Sequence, residues 1–303
     1  MVDEWHVAVR NRRHKSLQPA LQPPPRAALI AGHPSTQDWT YSPRLAHGEF
    51  PASPIAEGNA DVYRLQQQIK TRSKEVTKSA FLHKFQRLLE YMQRQDLMHS
   101  TPEHYTLPDT FKWEATTELI LYGLGSPTAG ARPVHCQLAF LILLQAQLPS
   151  LKHTRAFDPV FTSLDTALLR TFNIEVLEEN DSGKYAVTGP TLFYMPHCDC
   201  HLYNNLLKAN WSPRQLCKIA ILGNSFHAYA QRWALPSKQN SPDRPHELLV
   251  VSASGTVLEL PVDEADFPVM SAFNDLSLHL FPEWKMGDQV LPHTGTSVGR
   301  ITC

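Results

Sequence analysis

Thr191-Leu-Phe-Tyr-Met-Pro-His-Cys198, then Asp199-Cys-His-Leu-Tyr-Asn-Asn-Leu-Leu207, then Ile219-Ala-Ile-Leu-Gly-Asn-Ser-Phe226 decide the fold of this chain. The stretch reads as strand, polar tip, helix, strand, polar tip. Both strand ends pass from apolar residues straight into groups that donate, accept or ligate. In an open α/β sheet, ligands bind at such carboxyl ends.

Working outward, the same alternation continues on both sides. Glu118-Leu-Ile-Leu-Tyr-Gly123 predicts a first strand, followed by the Gly123-Leu-Gly125 turn. Val134 to Gln147 is apolar on nearly all sides and predicts a buried helix. Ala156 to Phe161 predicts a second strand, and Ser163 to Phe172 a helix with Ser163 as its N-cap. Ile174 to Glu178 predicts a third strand, Asn180 to Gly183 a turn, and Lys184 to Val187 a short further strand. Leu192 to Met195 is the fourth main strand, and His201 to Ala209 its helix. Ile219 to Leu222 is the fifth, followed by a helix at Phe226 to Trp233. Leu248 to Ser252 and Val257 to Leu260 predict later strands. Alternating strands and helices with short links give a Rossmann-like, mostly parallel α/β sheet with helices on both faces.

Four segments are expected: a disordered, Pro-rich basic tail at 1–58, a helical segment and linker at 59–112, the Rossmann-like domain at 113–290, and a disordered tail at 291–303. The first segment holds Pro19, Pro23, Pro24, Pro25, Pro34, Pro43, Pro51 and Pro54 and shows no hydrophobic period. From Asn59 helical spacing takes over. Val62, Leu65 and Ile69 form one apolar set, and Phe81, Leu82, Phe85, Leu88, Leu89 and Met92 a second. The two sets read as two helices, or one helix with a weak middle. Such helices cover their own core or bind a protein partner through residues 59–95. Pro102 and Pro108 mark the linker.

Composition excludes several classes. The 303 residues carry a net charge of −1, so the whole molecule lacks a nucleic-acid signature. The longest apolar run, Leu138 to Leu144, is far short of the about 18 residues of a membrane span. Met1 to Ser16 is polar, with Arg10, Arg12, Arg13 and Lys15, and has no signal-peptide core. The five cysteines have no disulfide spacing, which predicts a reducing compartment, cytoplasm or nucleus.

Gly123-x-Gly125 between a strand and a helix is the context of a dinucleotide or adenosyl cofactor. The third glycine of the fingerprint would fall at Thr128 and is missing. Ser126 lies in the same turn. Asp158 falls where an acid meets a ribose hydroxyl, though further along than the usual spacing of about twenty residues. At the fourth and fifth strand ends stand His197, Cys198, Asn224 and Ser225. His197, Cys198, Cys200 and His201 invite a metal or haem, but no distant Cys pair completes a structural zinc pattern. No metal is therefore expected. A nucleophilic Cys198 needs a base other than His197 while strand alternation holds; His227 is one candidate.

Gly123-Leu-Gly-Ser126, Gln137-Leu-Ala-Phe140, Asp158-Pro-Val-Phe161, Phe193-Tyr-Met-Pro-His-Cys198, Leu202-Tyr-Asn-Asn-Leu-Leu207, Asn210-Trp211, Ile221-Leu-Gly-Asn-Ser225 and Phe273-Asn-Asp275 occur in one order. Together they resemble the SRR-type family, named for plant sensitivity to red light reduced, over about Leu119 to Pro282. The likeness is greatest to animal SRR-domain members, and Trp5 ahead of a basic cluster also fits. The resemblance implies regulation: light signalling and the clock in plants, haem biosynthesis and clock-gene expression in animals. It implies no established reaction. Asp199-Cys200-His201 departs from the family's pattern, which favours His197 and Cys198 over Cys200 and His201 as ligands. Two other classes stand beside it. One is an adenosylmethionine-dependent methyltransferase-like enzyme, with Gly123, Gly125 and Asp158 on the cofactor and His197 and Asn224 on the substrate. The other is a haem or metal sensor using His197 or Cys198.

Overall fold

The computed structural model describes residues 55–98 and 111–282. Most of the expected N-terminal tail, the linker prolines Pro102 and Pro108, and the expected C-terminal tail lie outside them.

The helical segment forms two helices, α1 (Ile55–Thr77) and α2 (Ala80–Met98). Helix α1 takes in residues 55–58, which the sequence reading assigns to the tail. The break falls at Ser79, whose hydroxyl oxygen accepts from Leu82 N at 3.3 Å, an N-cap for α2. Among the described residues, much of their apolar faces packs within the chain, while Tyr63 and Tyr91 are exposed. Ile69, Val76, Phe81, Leu82, Phe85 and Leu89 are buried in one core with Leu138, Phe140 and Leu141.

The sheet then builds up in βα steps. Strand β1 (Glu118–Tyr122) leads to α3 (Arg132–Ala146), β2 (His153–Phe157) to α4 (Ser163–Arg170), and β3 (Glu175–Val176) closes that side. Strand β4 (Thr191–Met195) leads to α5 (Cys200–Ala209) and the short α6 (Pro213–Leu216). Strand β5 (Ile219–Asn224) leads to α7 (Phe226–Trp233) and α8 (His246–Ser254), then β6 (Leu258–Pro261) and β7 (Leu276–Leu280). The order is β3-β2-β1-β4-β5-β7-β6. Strands β1 to β5 pair in parallel, and β7 runs antiparallel to both β5 and β6. The fold is therefore the expected α/β class, with a mixed and mostly parallel sheet.

Strand alternation sorts side chains into two cores. Leu119, Leu121, Leu192, Tyr194, Ala220 and Leu222 face α1 to α4. Ile120, Tyr122, Phe193, Met195, Ile219 and Ile221 face α5 to α8. Strands buried on both faces read as unbroken apolar runs, as these do.

Five local expectations change. The cap of α4 is Thr162, not Ser163: its side chain accepts from Asp165 N, and the Asp165 side chain returns to Thr162 N, a capping box. The second strand ends at Phe157, so Asp158 stands just beyond its carboxyl end. Lys184 to Val187 is not a strand. Asn210 serves that segment instead, accepting from Val187 N at 2.9 Å and donating to Tyr185 O at 2.7 Å. Leu248 to Ser252 lies in helix α8, whose C-cap Gly255 has φ +70°. Strand β7 was not expected, although Leu276-Ser-Leu-His-Leu280 alternates cleanly. Its leucines enter the first core, and His279 stacks on Phe226 at 4.0 Å on the other face.

Candidate functional site

The chain reverses direction across the sheet between β1 and β4: β1 connects onward to β2, and β4 to β5 on the other side. The carboxyl edge at this switch point is where open α/β sheets take ligands. It brings together the ends of β1 (Gly123 to Ser126), β2 (Asp158), β4 (His197 to Asp199) and β5 (Asn224, Ser225).

Gly123 and Gly125 both take positive φ, +70° and +78°. They do different work. A Cβ at Gly123 would lie 2.5 Å from Cys198 Sγ, so the missing side chain admits the thiol of β4's tip. A Cβ at Gly125 would meet only Val134 Cγ2, at 3.6 Å. A Cβ would fit there without overlap.

Asp158 is half-buried beside this turn. Its Oδ2 accepts from Gly125 N at 2.8 Å, and its Oδ1 from Val160 N at 3.0 Å. Ser126 donates to both oxygens of Asp165, in the first turn of α4, at 3.0 and 2.9 Å. Asp165 also accepts from Thr128 N and Thr162 N, each at 2.8 Å. Burial of Asp165 works against its charge, but the bonds from Thr162 and Thr128 prevail and hold its carboxyl below the usual range. The sequence reading passed over Asp165. Thr162-x-x-Asp165 was the available signal.

Strand geometry stops before His197, which has φ +57° and is exposed, while Cys198 turns inward and is buried. The two side chains part. His197 Nε2 meets Ser271 O at 2.8 Å, whereas Cys198 Sγ donates to Tyr122 O at 3.3 Å. Burial first, then Asp158 and Asp199, push the Cys198 thiol far above its ordinary value. A thiol so held is a poor nucleophile. His227, the other base considered, pairs its Nε2 with Gln231 at 2.9 Å.

Asn224 and Ser225 tie strand tips together. Asn224 Oδ1 accepts from His197 N at 2.8 Å, and its Nδ2 donates to Tyr229 Oη at 3.1 Å. Tyr229 in turn donates to Cys198 O, and Tyr203 to Met195 O, while Tyr203 Oη accepts from Asn224 N at 2.9 Å. Ser225 caps α7 by accepting from Ala228 N at 3.0 Å, and its own N–H reaches Asp275 O at 2.9 Å. Tyr203 and Tyr229 were not foreseen, and nothing in their spacing marks them.

Asp199, Cys200 and His201 bring three ligand atoms within 4.8 Å of one another. Asp199 is also the cap of α5, accepting from His201 N at 2.8 Å. Burial, with Asp199 next, raises the Cys200 thiol to about 11. The structure thus gathers the three residues that depart from the family pattern and separates His197 from Cys198. Among the described residues, no helix is long and apolar enough to cross a membrane.

A family model of the SRR1 domain matches residues 68–280. The mouse SRR1-like protein is 36% identical over 200 residues, covering 61% of this chain and 79% of its own. The Arabidopsis thaliana protein SENSITIVITY TO RED LIGHT REDUCED 1 is 27% identical over 219 residues, covering 72% and 74%. Among solved structures, a methyltransferase of Podospora anserina bound to SAH is 12% identical, with a TM-score of 0.33, over 78% of this chain and 99% of that one. The 23S rRNA methyltransferase ErmE is 13% identical, with a TM-score of 0.30, over 57% and 64%. Likeness at this level carries no argument about activity. With the SRR1 domain matched over most of the chain, the chain belongs to the SRR1 family.

Proposed function

We propose that this chain is a regulatory protein that influences haem biosynthesis and circadian clock-gene expression, and that its SRR1 domain acts by binding a small nucleoside-type ligand at the carboxyl edge of the sheet. The observation that carries the binding reading is the placement of Asp158. It stands just past β2, on the Gly125 amide, where an acid meets ribose hydroxyls in doubly wound folds. Binding rather than covalent chemistry fits the edge, because His197 and Cys198 are turned to different partners and the thiol is buried. The two processes are those that the family resemblance implies.

The test is complementation. Cells lacking the protein are expected to show altered haem content and altered clock period. The intact chain restores both, and Asp158→Ala restores neither despite equal abundance. Normal haem and normal rhythms without the protein overturn the regulatory reading. Full rescue by Asp158→Ala overturns the role of the edge.

A methyltransferase-like enzyme using adenosylmethionine is the second reading, favoured by the same Asp158–Gly125 pair. Transfer of a labelled methyl group to a cell extract, lost in Asp158→Ala, is its expected signature. A haem sensor would rest on His197, since Cys198 faces inward. An absorbance spectrum unchanged on adding haem excludes it.

A further inference from the structure

We infer that the ligand of this edge is a nucleoside with a free ribose diol, carrying no phosphate against the β1–α3 turn and bearing a neutral or cationic pendant group. The inference rests on the nucleoside reading above and narrows it.

Strand–glycine turn–helix edges hold phosphate with free backbone N–H groups and a helix N-terminus. Much of this turn's donor set is spent on its own chain. Gly125 N–H goes to Asp158, and Thr128 N–H to Asp165. Gly123 N–H reaches Phe157 O at 3.4 Å, and Gly130 N–H reaches Pro127 O at 3.3 Å. Ala129 N–H and the Ser126 hydroxyl are taken as well, by Ser126 and Asp165. Helix α3 begins Arg132-Pro133, and proline has no N–H to offer. The Arg132 guanidinium lies 3.8 Å from Glu75 of α1. The two acceptors that displace a phosphate here are carboxylates, so an anion would meet like charge as well as occupied donors.

The same arrangement leaves acceptors for hydroxyls. A carboxylate offers about four lone-pair sites. Each Asp158 oxygen accepts one backbone N–H, from Gly125 on one and Val160 on the other. One site on each oxygen therefore stays open to a donor. Two vicinal hydroxyls suit that pair. At Gly125 an added Cβ would touch only Val134 Cγ2, at 3.6 Å, so no side chain of its own bars the sugar from the backbone.

Calorimetry on the full chain tests this with four probes: adenosylhomocysteine, adenosine, 2′-deoxyadenosine and NAD. Adenosylhomocysteine and adenosine are expected to bind at least tenfold more tightly than NAD. The 2′-deoxy compound is expected to lose at least tenfold relative to adenosine. NAD binding as tightly as adenosine overturns the exclusion of phosphate while leaving the nucleoside reading intact. Equal binding of adenosine and 2′-deoxyadenosine overturns the diol contact. No binding by any of the four overturns the nucleoside reading and this inference with it. The comparisons use the unaltered chain, so no variant needs to fold.

Discussion

Cys198 fills the space of a side chain that Gly123 lacks: a Cβ there would stand 2.5 Å from the thiol sulfur. The contact joins the tips of β1 and β4 across the switch point. It also explains why a glycine must precede Leu124, independently of any ligand. Gly123→Ala is expected to cost about 2–4 kcal/mol, from the positive φ and the overlap together. Adding Cys198→Ala removes the sulfur, and the double variant should recover about 1–2 kcal/mol of coupling in denaturant melts. Strict additivity of the two changes contradicts the contact.

The helical segment is part of the core. Phe81 stacks on Phe273 with ring centres 4.0 Å apart and planes 3° from parallel, and touches Phe140 edge-on at 5.1 Å. Phe81→Ala should cost about 3–5 kcal/mol in chemical denaturation. A loss below about 1 kcal/mol would mean that the segment docks loosely.

His197 fastens the loop between β6 and β7. Its ring holds Ser271 O, and its φ of +57° is one a glycine adopts freely. His197→Gly therefore removes the ring without adding strain. The melting temperature is expected to hold within a few degrees, while amide exchange across residues 262–275 speeds up by about fivefold or more, as for the loss of about 1 kcal/mol of local hydrogen bonding. Unchanged exchange there would show that the ring contact does not hold the loop.

Acid sensitivity is expected from His279. Burial is the main influence on its ring, opposed by Glu259 and the Ile221 carbonyl, and its pKa falls to about 4. Nδ1 faces Ile221 O at 3.1 Å, and Nε2 accepts from Phe226 N at 3.4 Å, so the partners assign the neutral form with the proton on Nδ1. An unfolded histidine titrates near 6.5. Between these values the unfolded chain holds a proton that the folded chain refuses. Stability therefore falls as pH drops from about 6.5 towards 4, by up to roughly 3 kcal/mol, and this loss levels off below. Subtracting the pH profile of His279→Gln from that of the unaltered chain should isolate this slope. Parallel profiles between pH 4.5 and 6.5 would refute it.

The apolar runs made β1, β4 and β5 legible, because strands buried on both faces cannot look like anything amphipathic. Leu248-Leu-Val-Val251 misled for the same reason: a short apolar run fits a buried helix as well as a strand, and Pro245 and Gly255 at its ends were the arbiters. Strand β7 was overlooked because Ser277 and His279 interrupt its leucines, though they mark its second face. At the edge, the tips were visible as polar residues after apolar runs. Their partners were not, since Ser271, Tyr229 and Asp165 are brought in from other elements. Asp158 reads from the sequence as an acid within the second strand; the structure ends that strand at Phe157, and the bond to Gly125 is a fact of tertiary structure alone.

Hydrogen exchange of the full chain, with and without saturating adenosylhomocysteine, tests the central claim most directly. The account predicts protection at residues 123–126, 158–160 and 197–199, the tips of β1, β2 and β4 along the ligand edge. Protection confined to other surfaces, or none, would contradict it.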